Sequence, residues 1–219
     1  MSRYVSGEIF NLSEMNEPLP RSFISEDIND YVSICSLAEG CDTGAGSLQF
    51  PHMLLVHQGT VECYIKKNGV EESWPVSAGM FTVFSSHVLV GMRAESDAVG
   101  TKILLIHATV AKEIEEKKAY YIRELVAYPD EGVNWKHLLS NGSSNLTIVA
   151  FADGYESKID NLQDEIVLTC VEGKMSLRYK DEEYTIHQGE NFIVEPDHTL
   201  VIRATFGKMK FSAAYRFIG

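Results

Sequence analysis

The chain repeats itself. Tyr31-Val-Ser-Ile-Cys-Ser-Leu-Ala-Glu-Gly40 returns in altered form as Asn145-Leu-Thr-Ile-Val-Ala-Phe-Ala-Asp-Gly154. Pro51-His-Met-Leu-Leu-Val-His-Gln-Gly59 has its counterpart in Asp164-Glu-Ile-Val-Leu-Thr-Cys-Val-Glu-Gly173. Gly40 and Gly154 are 114 residues apart, as are Gly59 and Gly173, whereas Gly79 and Gly189 are 110 apart. The second copy is therefore a few residues shorter in an intervening turn. A unit used twice must fold twice, so one architecture has to satisfy both halves. The boundary falls near residue 115, giving domains 1–114 and 115–219, and neither small copy need be stable alone.

The local signals are those of short strands and tight turns. Val61-Glu-Cys-Tyr-Ile-Lys alternates with the strand period, Asn68-Gly69 supplies the positive φ angles of a type I′ turn, and Val70-Glu-Glu-Ser-Trp returns, which predicts a hairpin. Met175-Ser-Leu-Arg-Tyr-Lys followed by Asp181-Glu-Glu-Tyr-Thr-Ile has the same layout around a polar turn. Gly79 and Gly189 each open another apolar strand. Such regular spacing predicts an all-β sandwich or barrel in each half. The exception is Ala111–Ile122, rich in helix formers and carrying the i,i+4 pair Glu113 and Lys117, which reads as a short helical or extended linker. Its end, Ile122-Arg-Glu-Leu125, echoes Ile9-Phe-Asn-Leu12, so each repeat begins with a small N-terminal element.

Composition narrows the partners. Nineteen basic against thirty-one acidic residues give a net charge of −12, which repels phosphate backbones and anionic membranes. Nucleic acid and membrane are excluded as partners on this reading. No run approaches the roughly 20 apolar residues of a membrane span, and the first residues lack a signal-peptide core, so the expected location is cytoplasmic. Cys35, Cys41, Cys63 and Cys170 show no metal-ligand spacing and read as buried thiols. Tyr120, Tyr121 and Trp135 read as packing aromatics at the seam or the inter-repeat surface.

The order of strand, glycine-ended strand, hairpin and glycine-initiated strand resembles the cupin superfamily, and its duplication resembles a bicupin. The closest pieces are Thr147–Gly154, Ile166–Lys174 and His187-Gln-Gly-Glu-Asn-Phe-Ile-Val-Glu-Pro-Asp-His198. The resemblance implies two tandem jelly-roll β-barrels from an internal duplication, each wound around a pocket. It also implies one divalent transition metal per active barrel, held by a His-x-His pair, a Glu and a later His. Such a ligand set leaves coordination positions open for oxygen or a bidentate substrate.

These motifs are degenerate here. Counting back from Gly59, the paired-histidine positions fall on Gly46 and Leu48 and the Glu position on His52; from Gly173 they fall on Asp160, Leu162 and Ile166. His87 and His198 are the second-motif candidates, although aligning Arg93-Ala94 with Arg203-Ala204 pairs His87 with Asp197. His52 and His87 could converge as a two-imidazole remnant. His57, five residues from His52, belongs on the opposite face of its strand. Two ligands seldom hold a metal against water, so the expectation is no metal and no cofactor. An acidic turn of Asp160, Gln163, Asp164 and Glu165 reads as solvated surface, and Ser85-Ser86-His87 as a polar turn.

Three readings survive. The first is a metal-free small-molecule-binding or regulatory barrel protein, its lining His52, Leu54, Val56 and His87 in one copy and Ile166, Leu168, Cys170 and His198 in the other. The second is a cupin-type isomerase, dioxygenase or decarboxylase with an atypical metal set at His52 and His87. The third is a structural or interaction protein. A homo-oligomer, most simply a dimer, is expected in each case.

Overall fold

The structure, a computed structural model, describes residues 5–28, 32–47, 49–104, 109–140, 144–160, 162 and 165–216. Strands follow one another along the chain: β1 (Ile9–Asn11), β2 (Phe23–Asp27), β3 (Val32–Leu37), β4 (Gly46–Ser47), β5 (His52–Gln58), β6 (Thr60–Lys67) and β7 (Val70–Ser77). Next come β8 (Met80–Phe84), β9 (Leu89–Ala94), β10 (Ala98–Leu104), β11 (Thr109–Val110), β12 (Tyr120–Tyr121), β13 (Val133–Ser140) and β14 (Ser144–Phe151). The last are β15 (Glu156–Ile159), β16 (Ile166–Glu172), β17 (Lys174–Tyr179), β18 (Glu182–His187), β19 (Glu190–Val194), β20 (Leu200–Arg203) and β21 (Met209–Arg216). Among the described residues helix is confined to single turns, α1 (Leu12–Met15) and a 3-10 turn at Ile122–Glu124.

The strands form two compact jelly-roll units. The N-terminal barrel is Leu12–Ala108 with Lys112–Ile122; the C-terminal barrel is Arg123–Gly219 with Met1–Asn11 and Thr109–Ala111. The first pairs a six-stranded sheet, β12-β8-β5-β10-β3-β2, with a four-stranded sheet, β4-β9-β6-β7. The second pairs β1-β19-β16-β21-β14-β13-β11 with β15-β20-β17-β18. Apart from β11 the two orders correspond strand for strand. Even the irregularities correspond, with register shifts at Val99/Gly100 against β5 and at Cys170/Glu172 against β21.

The small element that opens each half is exchanged. β1 pairs with β19, Phe10 opposite Asn191, and β12 pairs with β8, Tyr120 opposite Phe81. The structural equivalents Phe10 and Tyr120 are thus 110 apart, and the sequence echo of Ile9–Leu12 with Ile122–Leu125 is three residues out of register. Leu12 and Ile122 instead occupy matching buried positions at the start of the two short helical turns. The buried Asn191 side chain fixes β1 by donating to the Phe10 carbonyl at 3.4 Å while accepting from the Thr169 hydroxyl at 2.7 Å. Segment 111–121 takes the extended alternative, with turns, ahead of the 3-10 turn, and Lys117 reaches Glu72 at 2.7 Å.

The predicted hairpin forms between β6 and β7, with Asn68 and Gly69 at φ 53° and 78°. Its counterpart between β17 and β18 bends through Lys180 and Asp181 at φ 51° and 63°, the same turn without glycine. A side chain in this left-handed region costs roughly 1 kcal/mol. Asp181→Gly is therefore expected to raise stability by about 1 kcal/mol, read as a shifted urea midpoint with unchanged slope. No gain would mean that the turn carries no strain.

Each core lies between its two sheets. In the N-terminal barrel it gathers Cys35, Leu37, Leu54, Val56, Val61, Cys63, Ile65, Trp74 and Phe84. The outer face of the six-stranded sheet is buried too, so Met53–Val56 reads as an unbroken apolar run rather than an alternation. Outside the smaller sheet, Arg93 ties strands together through Asp42, Glu62 and both oxygens of Glu71, stacked at 4.1 Å over the Tyr64 ring. Arg203 pairs with Glu156 at the matching place in the C-terminal barrel.

Candidate functional site

Leu54 and Val56 on β5 point into the N-terminal core, and a small void opens beside them. Its wall is Phe23, Cys35, Leu37, Leu54, Val56, Val61, Met92 and the β10 segment Ala98–Gly100, and its volume is about 10 Å³. That is the space of a single water. Phe23 stands 43% exposed on the edge strand β2. The one polar side chain in the wall is the Cys35 thiol, which donates to the Gly100 carbonyl at 3.5 Å and is pushed up to about 11 by burial. Burial raises the neighbouring Cys63 thiol as well. Both are protonated at neutral pH and inert as nucleophiles or ligands.

The histidines do not join this wall. His52, at the start of β5, is half-buried, and its Nδ1 donates to the Phe50 carbonyl at 2.7 Å. Burial lowers its pKa, which favours the neutral ring. His87 is exposed in the turn after β8, with φ 62°. Asp197 has φ 64° at the matching place after β19, so the backbone pairs His87 with Asp197, and His198 matches Val88. His57 faces away from Leu54 and Val56, and its Nε2 bonds the Thr101 hydroxyl at 2.6 Å.

In the C-terminal barrel Ile166, Leu168 and Cys170 belong to the core with Leu177, Phe192 and Phe211. Burial pushes the Cys170 thiol up to about 12. His198 lies apart, 38% exposed, edge-on to the Tyr179 ring at 5.3 Å and 3.8 Å from Glu195. Glu195 also accepts from Lys180 at 2.6 Å and Ser6 at 2.5 Å, and these donors hold its carboxyl down at about 2. The sequence singled out His198 but not the cluster around it, because Ser6, Tyr179 and Lys180 are far from Glu195 in the chain and share no motif with it.

The donor set does not fit the metal that the resemblance implies. Among the described residues no three His, Cys, Asp or Glu side chains come together in a way that could hold an ion. Leu48, Gln163 and Asp164 lie outside the described residues. No helix among the described residues is long and apolar enough to cross a membrane.

Two jelly-roll units with this strand order make a fold shared with a solved cupin-domain structure. Of solved structures, a cupin 2 conserved barrel domain protein from Leptotrichia buccalis superposes with a TM-score of 0.84 at 16% identity, covering 99% of each chain. A salicylate 1,2-dioxygenase from Pseudaminobacter salicylatoxidans gives 0.70 at 13% identity, over 99% of this chain and 85% of that one. A variant of Bacillus subtilis oxalate decarboxylase gives 0.60 at 11% identity, over 99% and 78%. At these identities the likeness is one of fold. The sequence matches no family profile and no curated protein.

Proposed function

We propose that the chain is an internally duplicated bicupin with degenerate metal motifs, acting without a catalytic metal as a small-molecule-binding or regulatory protein. The N-terminal barrel is its binding site. The observation that carries this reading is the void beside Leu54 and Val56, walled by apolar side chains with one thiol and no carboxylate or imidazole. As it stands the void has room for one water, so a compact apolar ligand enters only as the flexible Met92 and the edge residue Phe23 give way and enlarge it. Four free thiols support a reducing, cytoplasmic setting.

The test is elemental analysis and native mass spectrometry of protein purified without chelator or histidine tag, with melts in added Mn, Fe, Ni and Zn. The expected result is no stoichiometric metal, no metal-induced rise in melting temperature, and a bound organic molecule. The double variant His52→Ala/His87→Ala should match wild type in metal content and melting temperature. A stoichiometric metal lost in that variant would overturn the reading and favour a cupin-type enzyme, the class to which the decarboxylase and dioxygenase structures belong. Absence of both metal and organic ligand would favour an interaction protein.

A further inference from the structure

One edge of the C-terminal barrel is left open. β11 covers β13 only at Leu139 and Ser140, with Ala111 N–H donating to the Leu138 carbonyl. Upstream, the Gly132 carbonyl accepts from Ala152, which sets the alternation of the strand. Gly132, Asn134 and Lys136 turn their backbone groups toward β14, and Val133, Trp135 and His137 turn theirs away from it. Among the described residues no strand meets that row. The same three side chains share one face: Val133 is 40% exposed, Trp135 is 56% exposed, and the indole packs at 4.7 Å on the His137 ring. The imidazole is held in place by its Nδ1 contact with the Thr147 hydroxyl at 2.7 Å. Trp135, expected from the sequence to pack at the seam or the inter-repeat surface, is exposed.

We propose that β13 is a self-pairing edge through which two copies of this chain form an antiparallel, two-fold dimer centred on Trp135. Antiparallel pairing about that residue sets Trp135 opposite Trp135 of the second copy, Val133 opposite His137 and Asn134 opposite Lys136. No like charges face each other, and the exposed face becomes a continuous aromatic and apolar strip. On a chain of net charge −12, copies repel over most of their surface. The stretch Gly132–Leu139 carries no carboxylate, one lysine and one histidine, so two copies meet there with less repulsion than an acidic surface would impose. Open edges with exposed aromatics are the segments that pair with another strand.

Cross-linking tests this directly. Residues facing each other in a hydrogen-bonded antiparallel pair have Cα atoms about 5.5 Å apart, within disulfide range. In a Cys41→Ser background, where the remaining native thiols are buried, Trp135→Cys is expected to form a covalent dimer on mild oxidation. Val70→Cys, equally exposed at a hairpin tip, should not. Light scattering should give twice the chain mass for wild type and the single-chain mass for Trp135→Glu, with melting of the exposed-site variant otherwise normal. A monomeric wild type, equal cross-linking of both cysteine variants, or a foreign polypeptide on β13 in the purified protein would each overturn the proposal.

Discussion

Gly59→Ala is expected to cost several kcal/mol and to unfold the N-terminal barrel under conditions where the wild type is folded. Gly59 closes β5 at φ +74°, and a Cβ there would sit 2.1 Å from the Asp97 carbonyl oxygen and 3.0 Å from the Ala98 Cα. The left-handed conformation accounts for roughly 1–2 kcal/mol. Overpacking adds ~1–3 kcal/mol, and because both obstacles are backbone, no side chain can swing clear. Gly40→Ala separates the two contributions, since Gly40 has φ +75° with nothing within 4 Å of the added Cβ. Urea titrations of the two variants measure the difference. If Gly59→Ala costs no more than Gly40→Ala, the close approach of β5 to the Asp97 turn is not what requires glycine. Gly173 meets the Lys208 carbonyl at 2.9 Å, so its alanine variant should fall between them.

The second large effect is on acid stability. Burial lowers His57 from 6.5 to about 4 in the folded chain. Between those values the unfolded chain carries the proton on His57 and the folded chain does not, so the unfolded state binds more protons. Stability from this group is full above about pH 6.5, falls as the pH drops, and levels off below about pH 4, a loss of about 3 kcal/mol. The counterpart position, 114 residues on, is Val171. His57→Val should flatten the stability profile between pH 6.5 and 4 relative to wild type, as followed by denaturant midpoints across that range. An unchanged acid slope would assign the pH dependence to other groups.

What the sequence disclosed follows from the range over which each feature acts. The hairpin at Asn68-Gly69 and the glycines at 59 and 173 were legible because turn chemistry and positive φ are written in one or two residues. The correspondence of the two halves was legible because similar strands and turns recur at offsets of 114 and 110 residues. The Lys180–Asp181 turn adopts the same angles without the residue that signals them, so its strain was hidden. For the linker the sequence left helix and extended chain open, because Glu113, Lys117 and their neighbours favour helix, whereas the pairing of Tyr120 with Phe81 that draws its end into β12 is not written locally. His87 and Trp135 lie beyond local reading altogether. Which way a turn or an edge strand faces depends on partners far away in sequence.

The exchange of β1 and β12 sets an order of events during synthesis. β1 has to wait for β19, some 180 residues later, before its backbone groups find their ladder partner. The N-terminal barrel in turn lacks its closing strand until Tyr120 and Tyr121 have emerged. Such long-range closure slows folding and leaves β8 with an open edge in the interval. A chain cut in the linker would give two fragments, each holding a strand that belongs to the other. Mixed in solution, such fragments are expected to recognise one another through those strands and to reassemble.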